Sequence, residues 1–537
     1  LTGNMSTGGT SIARTVEAHP ENVEIAETAA RVVGLDVAGI DFIVPDIAIP
    51  VRDQGGAIVE VNAAPGFRMH THPTVGEPQY VAKPVLDLLF PPGTPARIPI
   101  VAVTGTNGKT TTVRMIAHIL KLMGRRVGMT TTDGIVIDGR LIKRGDMSGP
   151  KSAQMVLQNP SVDTAVFEVA RGGILREGLG YDRNDVAVVT NVTGDHLGLG
   201  GITTLRQLAD VKGVVVEAVP RSGTAVLNAD DPHVARLARH SHGKIVYFSM
   251  ATGRDEDGWL RVDSHCGRGG AAMVLQETEE GELVVLRHGS RTMPLLHAHL
   301  IPATFGGRAR MNVANALAAA AAAWAAGAHL HDIRQGLRTF STSFFQAPGR
   351  LNLIEMNGYK VVIDYCHNVD GMRRLAEFVE LMMAGDEPGP RRGRGRTRAV
   401  EPGARTGRAL GVIGIPGDRP DHDQREYGAL AATAFDRLYV REDHNLRGRK
   451  PGESAANVLA GVEAAQKRGR ARTEQAAAVL GEIEASRVAL REARPGDLIV
   501  VCADDAAAVY QEAMALNRAP RRGTAIVAPG EMAVPEG

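Results

Sequence analysis

The stretch Thr104-Gly105-Thr106-Asn107-Gly108-Lys109-Thr110-Thr111-Thr112 restricts what this chain can fold into more than any other feature. The apolar run Ile98 to Val103 before it reads as a buried strand. The run from Thr110 to Met123 reads as a helix, with Gly124 placed to stop it. Glycine lets backbone N–H groups approach an anion closely, and a helix N-terminus favours negative charge. A strand, a glycine-rich turn and a helix in this order therefore predict a phosphate site in an α/β domain. Lys109 can reach the outer phosphates, and the Thr110 hydroxyl can ligate Mg²⁺. The general phosphate-loop pattern has glycine at position 103, where this chain has Val103, so the loop is a shorter variant. Gly105, Thr106, Asn107, Gly108, Lys109, Thr110 and Thr111 are the nucleotide-binding candidates, and Lys109 is also a catalytic one.

A chain of 537 residues is too long for one core. Helix is expected from Glu24 to Val33, and strands at Gly39 to Val44 and Ala57 to Val61. The segment Phe90 to Pro95 is rich in proline and glycine and reads as a linker. Beyond the phosphate loop, apolar strands are expected at Ala165–Val169, Val186–Thr190 and Thr224–Leu227, alternating with helices, which argues for a parallel sheet. Residues near 255–300 read as short strands and turns, and Asn312 to Ala326 as an alanine-rich helix. Strands at Lys360–Asp364, Ala409–Ile413, Arg437–Val440 and Asp497–Cys502 define a further α/β unit starting near Phe340. Pro388 to Arg408 is dominated by Arg, Gly and Pro; it reads as a solvated loop, or else as a basic arm for an acidic polymer.

With a formal net charge of +1 and no apolar run long enough to span a bilayer, neither nucleic acid nor a membrane is expected as partner. The three cysteines, Cys266, Cys366 and Cys502, are far apart and fit a reducing cytoplasm.

Behind the phosphate loop comes an ordered set of motifs. Phe167-Glu168-Val169 ends a strand. Thr190-Asn191-Val192-Thr193-Gly194-Asp195-His196-Leu197 and Leu227-Asn228-Ala229-Asp230-Asp231-Pro232 follow. Then come Asn312 and Asn315, Gly349-Arg350, and Asp364-Tyr365-Cys366-His367-Asn368. In this order and spacing the set resembles Mur ligases. The resemblance implies an ATP-dependent ligase in which Thr110, Glu168 and His196 hold metal ions. It implies that Asn312, Asn315, Arg350 and Asp364 serve the nucleotide. Lys212 falls where many Mur ligases carry a carbamylated, catalytic lysine; the other reading is a surface lysine on a helix. Met311 stands where the family's nucleotide motif has histidine, and Cys366 and Val369 stand for alanine and proline.

The first ninety or so residues resemble something else. Asp41 lies on one expected strand, and Glu60-Val61-Asn62-Ala63-Ala64-Pro65-Gly66 on the next. Asn4-Met5-Ser6-Thr7-Gly8-Gly9-Thr10 is a polar loop ahead of them. These are similar to the C-terminal end of an ATP-grasp ligase, and the resemblance implies Asp41, Glu60 and Asn62 as Mg²⁺ ligands. The chain starts at Leu1 inside this motif, so an upstream part with the rest of that domain is expected.

An ATP-grasp end directly ahead of a Mur unit resembles the cyanophycin synthetase family. So do Gly145-Asp146-Met147-Ser148-Gly149-Pro150, Ala170-Arg171-Gly172-Gly173-Ile174-Leu175-Arg176 and Gly417-Asp418-Arg419-Pro420-Asp421, together with Arg441 to Arg449. The expected architecture is the C-terminal part of an ATP-grasp domain (1–92), a Mur-ligase-like central P-loop α/β domain (98–340) and a C-terminal α/β domain (341–537). The family implies ATP and Mg²⁺ as cofactors. It implies a polyaspartate/cyanophycin chain, L-arginine and L-aspartate as substrates, and a homo-oligomer. The Mur unit would join arginine to aspartate side chains, and the ATP-grasp unit would join aspartate to the backbone end, through acyl phosphates. Asp418, Asp421, Glu442 and Asp443 are candidates to clamp arginine, or else pair with Arg419 and Arg447. Alternatives are a Mur-type ligase with another substrate and a non-catalytic nucleotide-binding homologue.

Overall fold

The structure, a computed structural model, describes residues 9–94, 96–195, 197–198, 200–384 and 407–518. His196, residues 4–8 of the polar loop and residues 388–406 of the Arg-rich stretch lie outside the described residues. The chain divides into two compact units, Leu1–Arg97 and Ile98–Gly537.

In the first unit, helix Pro20–Val33 starts with proline in its first turn, where the missing N–H is no loss, and ends at Gly34 with φ +82°. Strands β1 (Gly39–Ile43) and β2 (Ala57–Asn62) pair antiparallel. Buried Asn22 holds the loop after β1: its amide donates to Ile47 O and Ile49 O at 2.9 Å and accepts from Val51 N at 2.8 Å. Every polar atom of that side chain is thus satisfied, as burial requires.

The second unit begins with strands β3 (Ile100–Thr104), β4 (Val127–Thr131), β5 (Gly134–Ile137), β6 (Arg140–Arg144) and β7 (Thr164–Glu168). It continues with β8 (Val186–Val189), β9 (Thr224–Asn228), β10 (Lys244–Ser249), β11 (Ala271–Thr278), β12 (Gly281–His288) and β13 (Arg291–His297). Among the described residues these form one sheet in the order β13-β12-β11-β10-β9-β8-β3-β7-β4-β5-β6. From β11 to β4 all neighbours are parallel, and β3, β4, β7 and β8 are buried along their whole length because both faces are covered. Helices Lys109–Leu122 and Arg310–Ala325 build one apolar core; Pro150–Leu157 and Leu205–Glu217 build the other. Helix Arg310–Ala325 is apolar all round, with Ala318 to Ala323 at 0% exposure.

The expectation of a parallel sheet holds only for its centre. Hairpins extend it antiparallel at both edges, through β5 and β6 and through β12 and β13. The turn between β5 and β6 is Asp138-Gly139, both with positive φ (48° and 83°). That is the two-residue turn whose twist matches a hairpin, and the sequence reading passed over its Asp-Gly signal. Residues 255–300, expected as strands and turns, contain helix Asp257–Gly267 ahead of β11.

A second sheet holds β14 (Asn352–Met356), β15 (Tyr359–Asp364), β16 (Ala409–Ile413), β17 (Arg437–Val440), β18 (Gln475–Ala478) and β19 (Leu498–Cys502). Its order is β14-β15-β19-β16-β17-β18, parallel except for β14. No helix among the described residues is long and apolar enough to cross a membrane.

Candidate active site

Thr104 closes β3, Glu168 closes β7 and Asn228 closes β9, while Thr190 follows β8 directly. These carboxyl ends lie side by side in the parallel part of the sheet, where ligands of α/β sheets bind. The phosphate loop fills the gap before helix Lys109–Leu122.

Two glycines in the loop are dictated by contacts. Gly105 has φ +146°, and a Cβ there would stand 1.9 Å from Thr190 Oγ1. Gly108 has φ +85°, and a Cβ would stand 2.2 Å from Asn315 Oδ1. Gly105→Ala should therefore destabilise the protein by about 2–4 kcal/mol, combining backbone strain with a clash against a buried strand end. Urea unfolding would measure it; a loss below ~1 kcal/mol would show that the loop is not held as described.

Neighbouring loops hold the backbone in place. Thr190 Oγ1 donates to Asn107 O at 2.7 Å, Asn191 Nδ2 to the same oxygen at 3.0 Å, and Asn107 N to Asn191 Oδ1 at 2.9 Å. Asn228 Nδ2 donates to Thr190 O (2.8 Å), and Asp231 accepts from Val192 N (2.7 Å). The Asn-x-Asp-Asp segment thus acts on the loop that supports the phosphate loop.

Lys109 Nζ donates to Thr106 O at 3.0 Å. Thr110 Oγ1 donates to Glu168 Oε2 at 2.9 Å, and Thr132 N donates to the same oxygen at 3.2 Å. Glu168 is 2% exposed, and burial raises its pKa against the opposing pull of Lys109 and Arg350. A buried carboxylate beside a hydroxyl at the mouth of a phosphate loop is short of positive charge. The all-oxygen pair suits Mg²⁺, which takes few protein ligands and completes its shell with water and phosphate. No group of three or more His, Cys, Asp or Glu that could hold a metal gathers among the described residues. Thr111 is buried in the first turn of the helix.

Lys212 is not on the surface. Its residue is 5% exposed and its Nζ donates to Gly105 O at 2.7 Å. Burial, and after it the charge of Lys109, pushes its pKa down to about 7. Asn315 Nδ2 donates to Asn312 Oδ1 (3.1 Å), and Asn312 Nδ2 to Ala303 O (2.7 Å), so Asn312 props Asn315 against Gly108.

The part of the unit built on the second sheet reaches into this site. Arg350 Nη2 donates to Thr110 Oγ1 (3.2 Å) and Thr132 Oγ1 (3.1 Å), and its guanidinium lies 5.1 Å from the Tyr365 ring centroid. Asp364 accepts from Leu351 N at 2.9 Å, fixing the Gly349-Arg350 turn; burial pushes its pKa up to about 6. Asn107 Nδ2 donates to Asp370 Oδ2 (3.1 Å), and Asn368 Nδ2 donates to Asn107 Oδ1 (2.9 Å). Asp195, 8% exposed, pairs with Arg419 at 2.9 Å.

Sequence reasoning gave no role to Asp133, Asp195, Asn368 or Asp370, and it offered Arg419 only as a partner for the acids near it, not for Asp195. Asp195 and Asn368 stood inside quoted motifs, which was the available signal; pairing across two sheets leaves none. The four clamp candidates are all engaged within the chain. Asp418 pairs with Arg419 (2.8 Å) and Arg447 (3.0 Å), Asp421 with Arg449 (2.8 Å), and Asp443 with Arg441. Glu442 accepts from Gly452 N (2.9 Å) and Ala455 N (3.1 Å) at a helix start.

In the first unit, Asp41 lies opposite Glu60 across the strand pair, and Asn62 is two residues beyond Glu60 on the same face. Both acids are exposed.

Comparison with known proteins places this architecture in a class. Residues 103–323 match the Mur ligase middle domain, so the chain is built on a Mur-ligase-like α/β fold. It is 49% identical over 461 residues to the cyanophycin synthetase of Synechocystis sp., covering 86% of this chain and 49% of that protein. The cyanophycin synthetase of Crocosphaera subtropica is 48% identical over the same length, with the same shares. The chain therefore spans about half the length of these curated relatives. E. coli FolC in complex with ADP superposes with a TM-score of 0.54 at 19% identity, covering 78% of this chain and 90% of that one. MurF from Acinetobacter baumannii gives 0.51 at 19% identity, with 78% and 77% covered. These two likenesses concern the fold.

Proposed function

We propose that this chain is an ATP-dependent amide ligase of cyanophycin synthesis, and that its Mur unit joins arginine to aspartate side chains of a polyaspartate backbone. The observation that carries the reading is the cluster of Lys109, Thr110, Glu168 and Arg350 at the mouth of the phosphate loop. The similarity to cyanophycin synthetases supplies the substrates.

A carboxylate is a poor electrophile until ATP activates it. A carboxylate oxygen attacks the γ-phosphorus and ADP leaves; the amine nitrogen then attacks the acyl carbon, phosphate leaves and the nitrogen loses a proton. Both steps concentrate negative charge, so catalysis is mostly positioning and cationic stabilisation. Lys109 folds back over the loop to Thr106 O, and Arg350 reaches Thr110 Oγ1, so both would bring positive charge to the phosphate site. Mg²⁺, when bound at Thr110 and Glu168, would neutralise phosphate charge. His196, next to Asp195 in sequence, would serve a second metal ion. Lys212, whose pKa burial pushes down to about 7, would in its neutral form add to CO₂ and lose a proton to give a carbamate. Asn312, Asn315 and Asp364 would serve the nucleotide. Residues 98–340 and 341–537 would build the site together, the latter contributing Arg350 and Asp364. Residues 1–92 would contribute Asp41, Glu60 and Asn62 to an ATP-grasp site adding aspartate to the backbone end.

The test is Mg·ATP-dependent incorporation of labelled arginine onto polyaspartate, with ADP release followed in parallel. ADP is expected only when arginine and the acidic primer are both present. ADP release with arginine absent, or incorporation of another amino acid in its place, overturns the reading.

A further inference from the structure

We propose that β6 is a docking rail for an extended acidic chain, which pairs with it as an added strand and is led along it towards the phosphate loop. The occupant, a polyaspartate segment, rests on the substrate reading above.

Among the described residues, β6 is the last strand of its sheet and pairs with β5 alone. Its outer edge therefore offers backbone N–H and C=O groups with no strand beside them. All five residues, Arg140 to Arg144, are exposed. Arg140, Lys143 and Arg144 supply three cations within five residues, with no acidic residue between them. None of the three has an ion-pair partner among the described residues, whereas nearby Lys121 is paired with Asp138 and Arg126 with Asp163. An extended chain rises about 3.3 Å per residue and projects alternate side chains to opposite faces. Polyaspartate laid on this edge would carry a carboxylate at every position, within reach of cations on either face, while the backbones pair.

Cations on an edge strand also serve to prevent aggregation. What distinguishes β6 is where it leads. Arg144 pairs with Gly134; Gly145 N donates to Asp133 O (3.2 Å) and Met147 N to Thr131 O (3.0 Å). Ser148 and Gly149 then line a small cavity together with Glu168. Asp133 itself bonds Arg114 (2.8 Å) and lies 3.8 Å from Arg350. The chain leaving β6 thus leads to Asp133, Ser148 and Gly149, which adjoin Arg350 and Glu168 of the site in which the carboxylate would be activated.

The experiment uses the full chain and the triple variant Arg140→Glu, Lys143→Glu, Arg144→Glu. Binding of fluorescently labelled long polyaspartate is read by anisotropy, and arginine incorporation is read on long polyaspartate and on a short oligo-aspartate. Affinity for the long chain should fall about tenfold or more in the variant. Its KM should rise alongside, while the short primer, which cannot span rail and site, keeps its KM. A neutral variant with glutamine at the three positions should fall between. Added salt should erase the preference of the unaltered protein for the long chain. Equal binding of long polyaspartate by the unaltered protein and the variant overturns the rail and leaves a merely protective edge. Lost binding in the variant, with no arginine incorporation by the unaltered protein, upholds the rail and overturns the arginine reading instead.

Discussion

Lys109→Ala is expected to lower ATP-dependent ligation by about a thousandfold or more while leaving the fold intact. Lys109 stands at the first position of the helix that follows the loop, and its Nζ reaches back to Thr106 O at 3.0 Å. Among the contacts that hold the loop backbone, those from Thr190, Asn191 and Asn107 do not involve this side chain. The variant should therefore melt close to the unaltered protein. What it loses is a cation aimed at the place where phosphate charge builds up, and such charge counts for most in a site lined by buried groups such as Glu168. Lys109→Arg should not restore turnover, because a planar fork does not fit where a compact ammonium folds over the loop. Coupled ADP release and a thermal melt, run together, check both halves. Turnover within about tenfold of normal in the Lys109→Ala protein would sink the phosphate-site reading.

Lys212→Met should do two opposite things: abolish ligation and stabilise the ligand-free protein near neutral pH. A buried amine whose pKa falls from 10.5 to about 7 binds its proton less well folded than unfolded. Between those two values the unfolded chain holds more protons, so the unaltered protein gains stability as pH rises from about 7 to 10.5. The burden is fully present below pH 7 and relieved above the unfolded value. Methionine has similar length and no charge to bury, and forfeits only the bond to Gly105 O. The net gain near pH 7 should be on the order of 2–4 kcal/mol. It should shrink as the pH is raised. Denaturant melts in carbonate-free buffer at several pH values measure it. A variant less stable at pH 7, or a difference independent of pH, would show that Lys212 is held charged by its neighbours. Stability given up at one position and used for chemistry there is common in active sites.

Much of this site was legible in the sequence because its parts are local. A phosphate loop is a contiguous device: Gly105 and Gly108 are needed by their own φ angles, and Lys109 and Thr110 open the helix beside them. Glu168 was recognisable because it ends a strand, and strand ends of a parallel sheet meet at one edge of the fold. Lys212 is the contrary case. Resemblance alone marked it as a catalytic candidate, since its neighbours in sequence also read as a helix surface, and only the packing of helix Leu205–Glu217 against the sheet turns it inward to Gly105 O. The hairpin of β5 and β6 was missed for a different reason: its short strands were not read at all, although Asp138-Gly139 is a local signal, whereas the strands and turns near 255–300 were expected.

The sequence by itself determined the order of elements, the identity of the phosphate loop and the kind of unit that surrounds it. Those depend on backbone conformation, apolar periodicity and motif spacing, all of which are written along the chain. The tertiary structure decided which charges meet. Arg350 on Thr110, Asn107 against Asn368 and Asp370, and Asp195 with Arg419 join residues more than 170 positions apart. It also decided that Asp418, Asp421 and Asp443 are occupied by arginines of the same chain, and that Arg140, Lys143 and Arg144 are left without ion-pair partners among the described residues. Coulomb energies and burial depend on distance through space, and the spacing of residues along a chain does not fix that distance until the sheets are packed.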